Sequence, residues 1–479
     1  MMMKRVLLAA VSAGAFGLSA LCSLGAQTPF YFGNDLSYVN EMEDCGAVYR
    51  ENDEVVDPFV SMATHGTNLV RVRLWNDPYW LELVPKLNEN VKAQYSNLED
   101  VTKAIRRSKE AGMDVILDFH FSDMWADPGR QVIPREWQHA AGDDDALAQL
   151  LYEYVKSVLV GLDEQGLMPE IVTLGNETNS GMLLEDELSV RELEGGFLEI
   201  EGGGTWRGGD ERLSKLWNAG IRAVREVGAV ASVNPKIALH VADPGDMMGF
   251  FDRMVRIGVT DFDIAGISYY FAWHGGSISH TGNLIRAFKT KYPQYDPMVL
   301  ETGYPWDTAN IDGLNNIIAD VDPQYSPVSP NMQRKYMVDL TQEVIDAGGV
   351  GVIFWEPLWV STDCRTPWGT GSSHEHVAYY NHRDNHNLHA GGTWMEAEYQ
   401  NLPAVEGAEV SFNFDHESLK TQIVFNVNPG SEYQYDLSSD LRDWDVVDFF
   451  RPVESREVSV SLPSAAELPR FGRVWKIAR

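Results

Sequence analysis

Between Phe32 and about Gly392 the chain repeats one hydropathy rhythm. A short β-branched or aliphatic run ends in polar or aromatic residues, and an amphipathic stretch follows. The runs are Phe32–Val39, Asn68–Trp75, Asp114–Phe121, Glu170–Glu177, Lys236–Ala242, Asp263–Tyr270, Pro297–Thr302 and Val350–Glu356. Between them, Leu147, Leu150, Leu151, Tyr154, Val155, Val158, Leu159 and Leu162 recur at the spacing of one apolar helix face. Leu216, Ala219, Ile221 and Val224 mark a second such helix, and Tyr336, Leu340, Val344 and Ile345 a third. Strands alternating with helices predict parallel βαβ units, and eight of them predict a closed (β/α)8 TIM barrel of the α/β class. The alternative is an open doubly wound sheet. Asn34, Asp35, Leu36 and Ser37 are not the Gly-rich turn that would follow its first strand.

The rhythm changes near the C-terminus. VSFNFD, TQIVFNV, EYQYDL, VVDFF, REVSVSL and RVWKIA alternate with period two and are separated by turn residues. Residues 396–479 are therefore expected to form a small β-sandwich, either a spacer or a carbohydrate-binding module. At the other end, Lys4 and Arg5 precede the apolar stretch Val6–Leu21 and the small residues Ser23 to Ala26. Residues 1–26 read as a secretory signal peptide, with an N-terminal membrane anchor or a lipid on Cys22 as the alternatives. The barrel then occupies 27–395, and the chain is expected to be secreted or periplasmic. Without the leader, Cys45 and Cys364 remain, in the loops after the first and last runs. Those runs become neighbours only when a barrel closes, so a disulfide across that seam is expected.

Charge narrows the partners. The chain carries 38 Lys plus Arg against 70 Asp plus Glu, a net charge of −32. Such a surface repels phosphate backbones and anionic lipid, so neither nucleic acid nor a membrane is an expected partner. A neutral substrate and a monomer are expected.

In a barrel of this kind, chemistry collects at the C-terminal ends of the strands. Those ends hold Arg71 and Arg73, Asp118 and His120, Asn176 and Glu177, His240 and Asp243, Tyr269 and Tyr270, Glu301, and Trp355 and Glu356. Glu177 and Glu301 end the fourth and seventh runs, which face each other across an eight-stranded ring. Two such carboxyls can straddle a glycosidic bond, one protonating the leaving oxygen and one attacking the anomeric carbon. Trp75, Trp125, Trp306 and Trp355 lie at strand ends or just beyond, and at least two are expected to stack on sugar faces. No HExxH or GxSxG occurs, so zinc-protease and acyl-transfer chemistry lack support. His374, His376, His382, His386 and His389 cluster after the eighth run, at a spacing that fits no common metal site. Whether the chain holds a metal is left open.

Longer motifs run in order through the barrel: GNDLSYVNEMEDCGAVY, TNLVRVRLWNDP, DFHFSDMWADPG, GNETNSGML, NAGIRAVRE, SYYFAWHG, ETGYPW and FWEPLW. With these the chain resembles glycoside hydrolase family 53, the arabinogalactan endo-β-1,4-galactanases, over most of Phe32–Leu388. The resemblance implies a retaining (β/α)8 hydrolase that needs no cofactor for catalysis. It implies Glu177 as acid/base and Glu301 as nucleophile, with Asn176 on the 2-hydroxyl of the attacked sugar. Arg71 or Arg73, with His120, would surround the nucleophile, and both arginines belong to the expected substrate-binding set. Trp75, Asp118, Trp125, His240, Tyr269, Tyr270, Trp306 and Trp355 complete the expected substrate-binding set. The implied substrate is β-1,4-galactan. Asp307, Asn310 and Asp312 offer oxygen for a structural Ca²⁺ of the kind some bacterial members bind. Three features depart from the family pattern. They are Phe271-Ala272 after SYY, Ser373-His374-Glu375-His376 after the eighth run, and the long acidic stretch Glu185–Asp210. The alternatives are another retaining β-glycanase of the same clan, such as a mannanase or glucanase, and a non-catalytic glycan-binding barrel.

Overall fold

The computed structural model describes residues 30–79, 94–193, 198–366 and 369–402, with the backbone of six strands between 411 and 477. The expected signal segment lies outside these residues. The barrel strands are β1 Tyr31–Asp35, β2 Leu69–Leu74, β3 Asp114–Phe119, β4 Ile171–Leu174, β5 Lys236–Val241, β6 Ile264–Tyr269, β7 Asp296–Thr302 and β8 Gly351–Phe354. They close into one barrel in sequence order, and each neighbouring pair is parallel. Outside it lie α1 Pro58–Thr64, α2 Leu98–Glu110, α3 Asp144–Asp163, α4 Asp210–Gly228, α5 Met247–Arg256, α6 Ile278–Lys291 and α7 Pro330–Asp346. A 3₁₀ segment, Ala390–Glu396, follows β8.

Local chemistry sets these boundaries. Asp57, Asn97, Asp143, Ser277 and Ser329 each cap a helix with a side-chain oxygen, and Pro58 and Pro330 open theirs. Helix α3 buries Leu147, Leu151, Val155, Val158, Leu159 and Leu162 of the predicted stripe, while Leu150 and Tyr154 at its edges are half-buried. Every strand contributes to one interior layer: Tyr31, Leu69, Ile116, Ile171, Ala238, Ile264, Met298 with Leu300, and Ile353. The barrel is therefore filled, and removing one such side chain, as in Leu69→Ala, should cost about 2–5 kcal/mol. Gly33 permits close strand approach, since a Cβ there would stand 2.6 Å from Ile353 Cγ1.

One irregularity positions a functional side chain. Ile267 of β6 pairs with Val299 of β7, but Ser268 pairs with Glu301, so Leu300 is an extra residue in β7. Met298 and Leu300 both enter the interior layer. Strict alternation would then turn Glu301 outward, and the bulge turns it back inside.

Cys45 and Cys364 form a disulfide with Cα atoms 5.4 Å apart, closing a loop of sequence separation 319. It joins the loops after β1 and β8 at the barrel seam, as expected. The barrel unit runs Tyr31–Ala397. In the C-terminal unit, Ser411–Asp415, Lys420–Val427 and Arg456–Ser461 form one three-stranded antiparallel sheet, with Lys420–Val427 central. Glu432–Ser438 is central in the other, between Asp445–Phe450 and Phe471–Ile477.

Candidate active site

The predicted runs overshoot their strands at β4 and β8, which end at Leu174 and Phe354. Asn176, Glu177, Trp355 and Glu356 therefore sit on the turns that follow. The turn after β4 is left-handed at Gly175 (φ 91°) and at Glu177 (φ 45°). Gly175 is suited to this, since a Cβ there would lie 2.6 Å from Thr178 Cγ2. Glu177 is not, and a non-glycine residue held at positive φ is a feature of functional sites.

Glu177 and Glu301 meet. One oxygen of each, with one nitrogen of His240, lies within 4.8 Å of the others. Among the described residues this is the three-ligand grouping that could hold a metal, and it contains the two facing carboxyls. Glu301 is gripped from two sides, by Arg71 Nη1 at 2.7 Å and by the Tyr270 hydroxyl at 3.1 Å. Arg71 also donates to Asp35 at 3.0 Å, Asp118 at 2.5 Å and Asn176 Oδ1 at 2.7 Å. Burial would raise Asp118, but Arg71 and then His120 overcome it and hold the carboxyl down at about 2. His120 accepts at Nδ1 from the Trp75 indole and the Ala126 N–H, which leaves Nε2 to donate to Asp118.

The two carboxyls differ. Burial, then the charge of Glu301, pushes Glu177 up to about 8. Burial also raises Glu301, while Arg71 pulls it back. The proton of the pair therefore resides on Glu177.

A cluster of aromatic rings surrounds Arg73 and His120. The Arg73 guanidinium lies 4.2 Å over Trp125 and 4.3 Å over Tyr38. Trp125 meets Trp355 edge-on at 5.8 Å and Trp75 at 5.4 Å. Trp125 is half-buried, while Trp75 is buried behind it. The acidic stretch after β4 forms a hairpin, Glu187–Glu192 against Leu198–Gly203. Its Leu188, Val190, Leu198 and Ile200 pack with Trp75, Tyr79, Met124 and Trp125. This stretch therefore braces the loops after β2 and β3.

Some expected substrate contacts take other places. Tyr269 alternates outward from Ser268 and Tyr270, and its hydroxyl donates to the Gly276 carbonyl at 3.1 Å. Trp306 packs on His382 and His389, at 4.9 and 4.8 Å, within the loops after β7 and β8. Neither forms part of this pocket. His240, Arg71 and Asp118 are fully buried beneath the carboxyls, so they support the site and do not line it. The histidine cluster knits loops together: His376 and His389 bond the Ile318 and Ala378 carbonyls at 2.9 and 3.0 Å.

Sequence reasoning missed Asp35, Ser268, Gln131 and Trp273. Ser268 Oγ lies 2.5 Å from Glu177 Oε1. Strand parity was the available signal, since an inward Tyr270 requires an inward Ser268. Gln131 donates to the Asn176 carbonyl at 2.9 Å and accepts from Leu184 and Glu185, tying the hairpin base to the β4 turn. Trp273 is exposed, 4.4 Å from the Tyr270 ring.

A closed barrel that presents facing carboxyls at the ends of β4 and β7, one protonated and one paired with arginine, is built like a glycoside hydrolase. Comparison with known proteins agrees. Residues 31–391 match the model of glycosyl hydrolase family 53, and the chain belongs to that family. It is 40% identical over 402 residues to an arabinogalactan endo-beta-1,4-galactanase of Cellvibrio japonicus, covering 83% of this chain and 98% of that one. An endo-beta-1,4-galactanase of Bacillus subtilis is 30% identical, covering 75% and 80%. Among solved structures, the family 53 catalytic domain of Ignisphaera aggregans superposes with TM-score 0.64 at 26% identity, covering 79% of this chain and 98% of that one.

Proposed function

We propose that this chain is an exported endo-β-1,4-galactanase that hydrolyses β-1,4-galactan with retention of configuration. The observation that carries the reading is the Glu177–Glu301 pair, whose oxygens approach within 4.8 Å. That closeness suits direct attack by one carboxylate and is on the short side, as in retaining pairs, whose carboxyls stand about 5–5.5 Å apart against about 6.5–9.5 Å in inverting ones. The galactan assignment is supported by the likeness to the two galactanases above.

In the first step a Glu301 oxygen attacks the anomeric carbon as its bond to the glycosidic oxygen breaks. Glu177 gives its proton to that leaving oxygen. In the second step Glu177, now a carboxylate, takes a proton from water. That water's oxygen displaces Glu301 from the anomeric carbon, and both carboxyls return to their starting states. Arg71 and Tyr270 hold Glu301 in place for attack. Trp125 and Trp355 supply apolar faces for galactose, whose axial 4-hydroxyl leaves the opposite ring face free for stacking. Trp273 supplies a further face next to Tyr270.

The reaction uses no cofactor in this scheme. A structural Ca²⁺ would draw on Asp307, Asn310 and Asp312. Asp307 pairs with Arg383 at 2.6 Å, and Asp312 accepts from Ser361, Ser372 and Leu314, each at 2.7 Å. Asn310 Oδ1 accepts from the Asp312 N–H. The ion would have to displace these donors, and no step passes through it. Export is supported by the leader pattern of residues 1–26, and the two C-terminal sheets are proposed to pack as a small sandwich. The test is a time course on galactan beside mannan and mixed β-glucan. Short galacto-oligosaccharides from galactan alone are expected, and comparable release from mannan or glucan would overturn the substrate assignment.

A further inference from the structure

Beneath Glu177, side chains from four strand ends form one hydrogen-bonded line. Arg71 Nη2 donates to Asn176 Oδ1 at 2.7 Å, and Asn176 Nδ2 donates to the Ala126 carbonyl at 2.7 Å. Together these contacts fix which end of the amide is oxygen. Reversing it would set N–H against N–H and oxygen against oxygen. Asn176 Oδ1 also lies 2.9 Å from His240 Nδ1. An amide oxygen offers only lone pairs, so a contact this short needs a hydrogen on Nδ1. His240 is fully buried, and burial, then the Arg71 charge, holds it far below the usual histidine range. The ring therefore carries one hydrogen, and Nε2 is bare. Ser268 Oγ sits 2.9 Å from Nε2, so its single hydrogen fills that contact. The same Oγ is 2.5 Å from Glu177 Oε1, to which it can then present only a lone pair.

One contact argues the other way. The Glu177 backbone N–H points to His240 Nδ1 at 3.4 Å and asks for the opposite tautomer. It is the longer of the two contacts at Nδ1. Satisfying it would face the lone pairs of Asn176 Oδ1 and His240 Nδ1 at 2.9 Å.

We propose that Asn176, His240 and Ser268 form a one-way relay that keeps the acid's hydrogen on Glu177, because His240 in its Nδ1–H form draws the Ser268 hydrogen away and leaves Ser268 to accept. His240 and Ser268 are thus positioning residues for the proton that departs with the leaving oxygen. Against a charged Glu177 the Ser268 hydroxyl donates and pulls the group down, and that pull is removed when its hydrogen turns to His240. Once the proton has gone, rotation of the Ser268 hydroxyl lets it donate to the new anion. Other charged and titratable groups face this line. They are Glu301 from β7, Arg71 from β2, Asp118 and His120 from β3, Asp127 from the loop after β3, and His274 after β6. The inference rests on the double-displacement reading only in giving Glu177 the acid role.

Long-range proton–nitrogen correlations on the ¹⁵N-labelled full chain read the tautomer directly, with His240 assigned by loss of its signals in His240→Phe. Nδ1 protonated and Nε2 bare is expected from about pH 5 to 8. An Nε2–H ring or an imidazolium overturns the relay. In kinetics, His240→Phe frees the Ser268 hydrogen for Glu177, so the basic limb of kcat/KM should move down by about one pH unit. A limb left in place overturns the relay, whatever happens to kcat. Should the variant not fold, through-bond assignment in the wild-type protein still decides the tautomer. Inverted product stereochemistry would instead defeat the double-displacement reading and leave the tautomer result standing.

Discussion

Arg71 and Glu301 are joined by a 2.7 Å ion pair that spans the barrel interior from β2 to β7. The same guanidinium serves Asp35 and Asp118, so one buried cation is shared among three carboxyls. Glu301 keeps its charge only while Arg71 offsets its burial. Arg71→Lys offers a point charge in place of a planar fork and should loosen all three contacts. Its acid limb should rise, and kcat/KM should fall by at least about a hundredfold. A wild-type limb in Arg71→Lys would show that Glu301 is stabilised by something else.

The pH profile should be a bell. Activity requires Glu301 ionised and Glu177 protonated. Rate should therefore climb as pH passes upward through the Glu301 value and fall as pH passes through the raised value of Glu177, about 8. An essentially flat kcat/KM between about pH 4 and 9 would exclude these two roles.

The carboxyls should separate by leaving group. Glu301→Gln should lose nearly all activity on any substrate, since no other group reaches the anomeric carbon in its place. Glu177→Gln should be crippled on galactan but lose far less on an aryl galactobioside whose leaving group needs no proton. Equal losses on both substrates would argue against Glu177 as the acid.

Two tryptophans give a contrast. Trp125→Ala should cost roughly 1–3 kcal/mol of transition-state stabilisation, because the ring is half-exposed beside Trp355 and His120. Trp306→Ala should lower the melting temperature and leave kcat/KM nearly unchanged, because its ring packs on His382 and His389. If Trp306→Ala damages catalysis as much as Trp125→Ala, the placement of Trp306 is refuted.

The barrel was legible because eight apolar runs alternate with helix stripes, and the carboxyls were legible because they end runs that face each other. The finer placement was not. Register along a run decides which side chains point inward, and a single extra residue, Leu300, resets that parity before Glu301. Tyr269 was misplaced for the same reason, since adjacent tyrosines cannot both face the interior of a regular strand. Trp306 and Trp355 look alike in sequence, each just past a strand. Only the loops after β7 and β8, folding back on each other, remove one from the pocket. Asp35 carried no signal, because its role depends on Arg71 reaching across from β2.

The seam disulfide should matter for stability before activity. Cys45–Cys364 closes a loop of sequence separation 319, for which the chain-entropy model gives roughly 5 kcal/mol as an upper figure. Cys45→Ser with Cys364→Ser should lower the melting temperature by several degrees, with kcat on galactan near wild type at moderate temperature. An unchanged melting temperature, or two free thiols in the unreduced denatured protein, would refute the bond's role.

The central claim is that Glu177 and Glu301 cleave galactan by double displacement. Proton NMR of the first sugars released from β-1,4-galactan reads this directly, provided spectra are taken before mutarotation scrambles the anomers. The β-anomer should appear first, with the α-anomer growing in only as mutarotation proceeds. Initial release of the α-anomer would mean a single inverting displacement and would contradict the account.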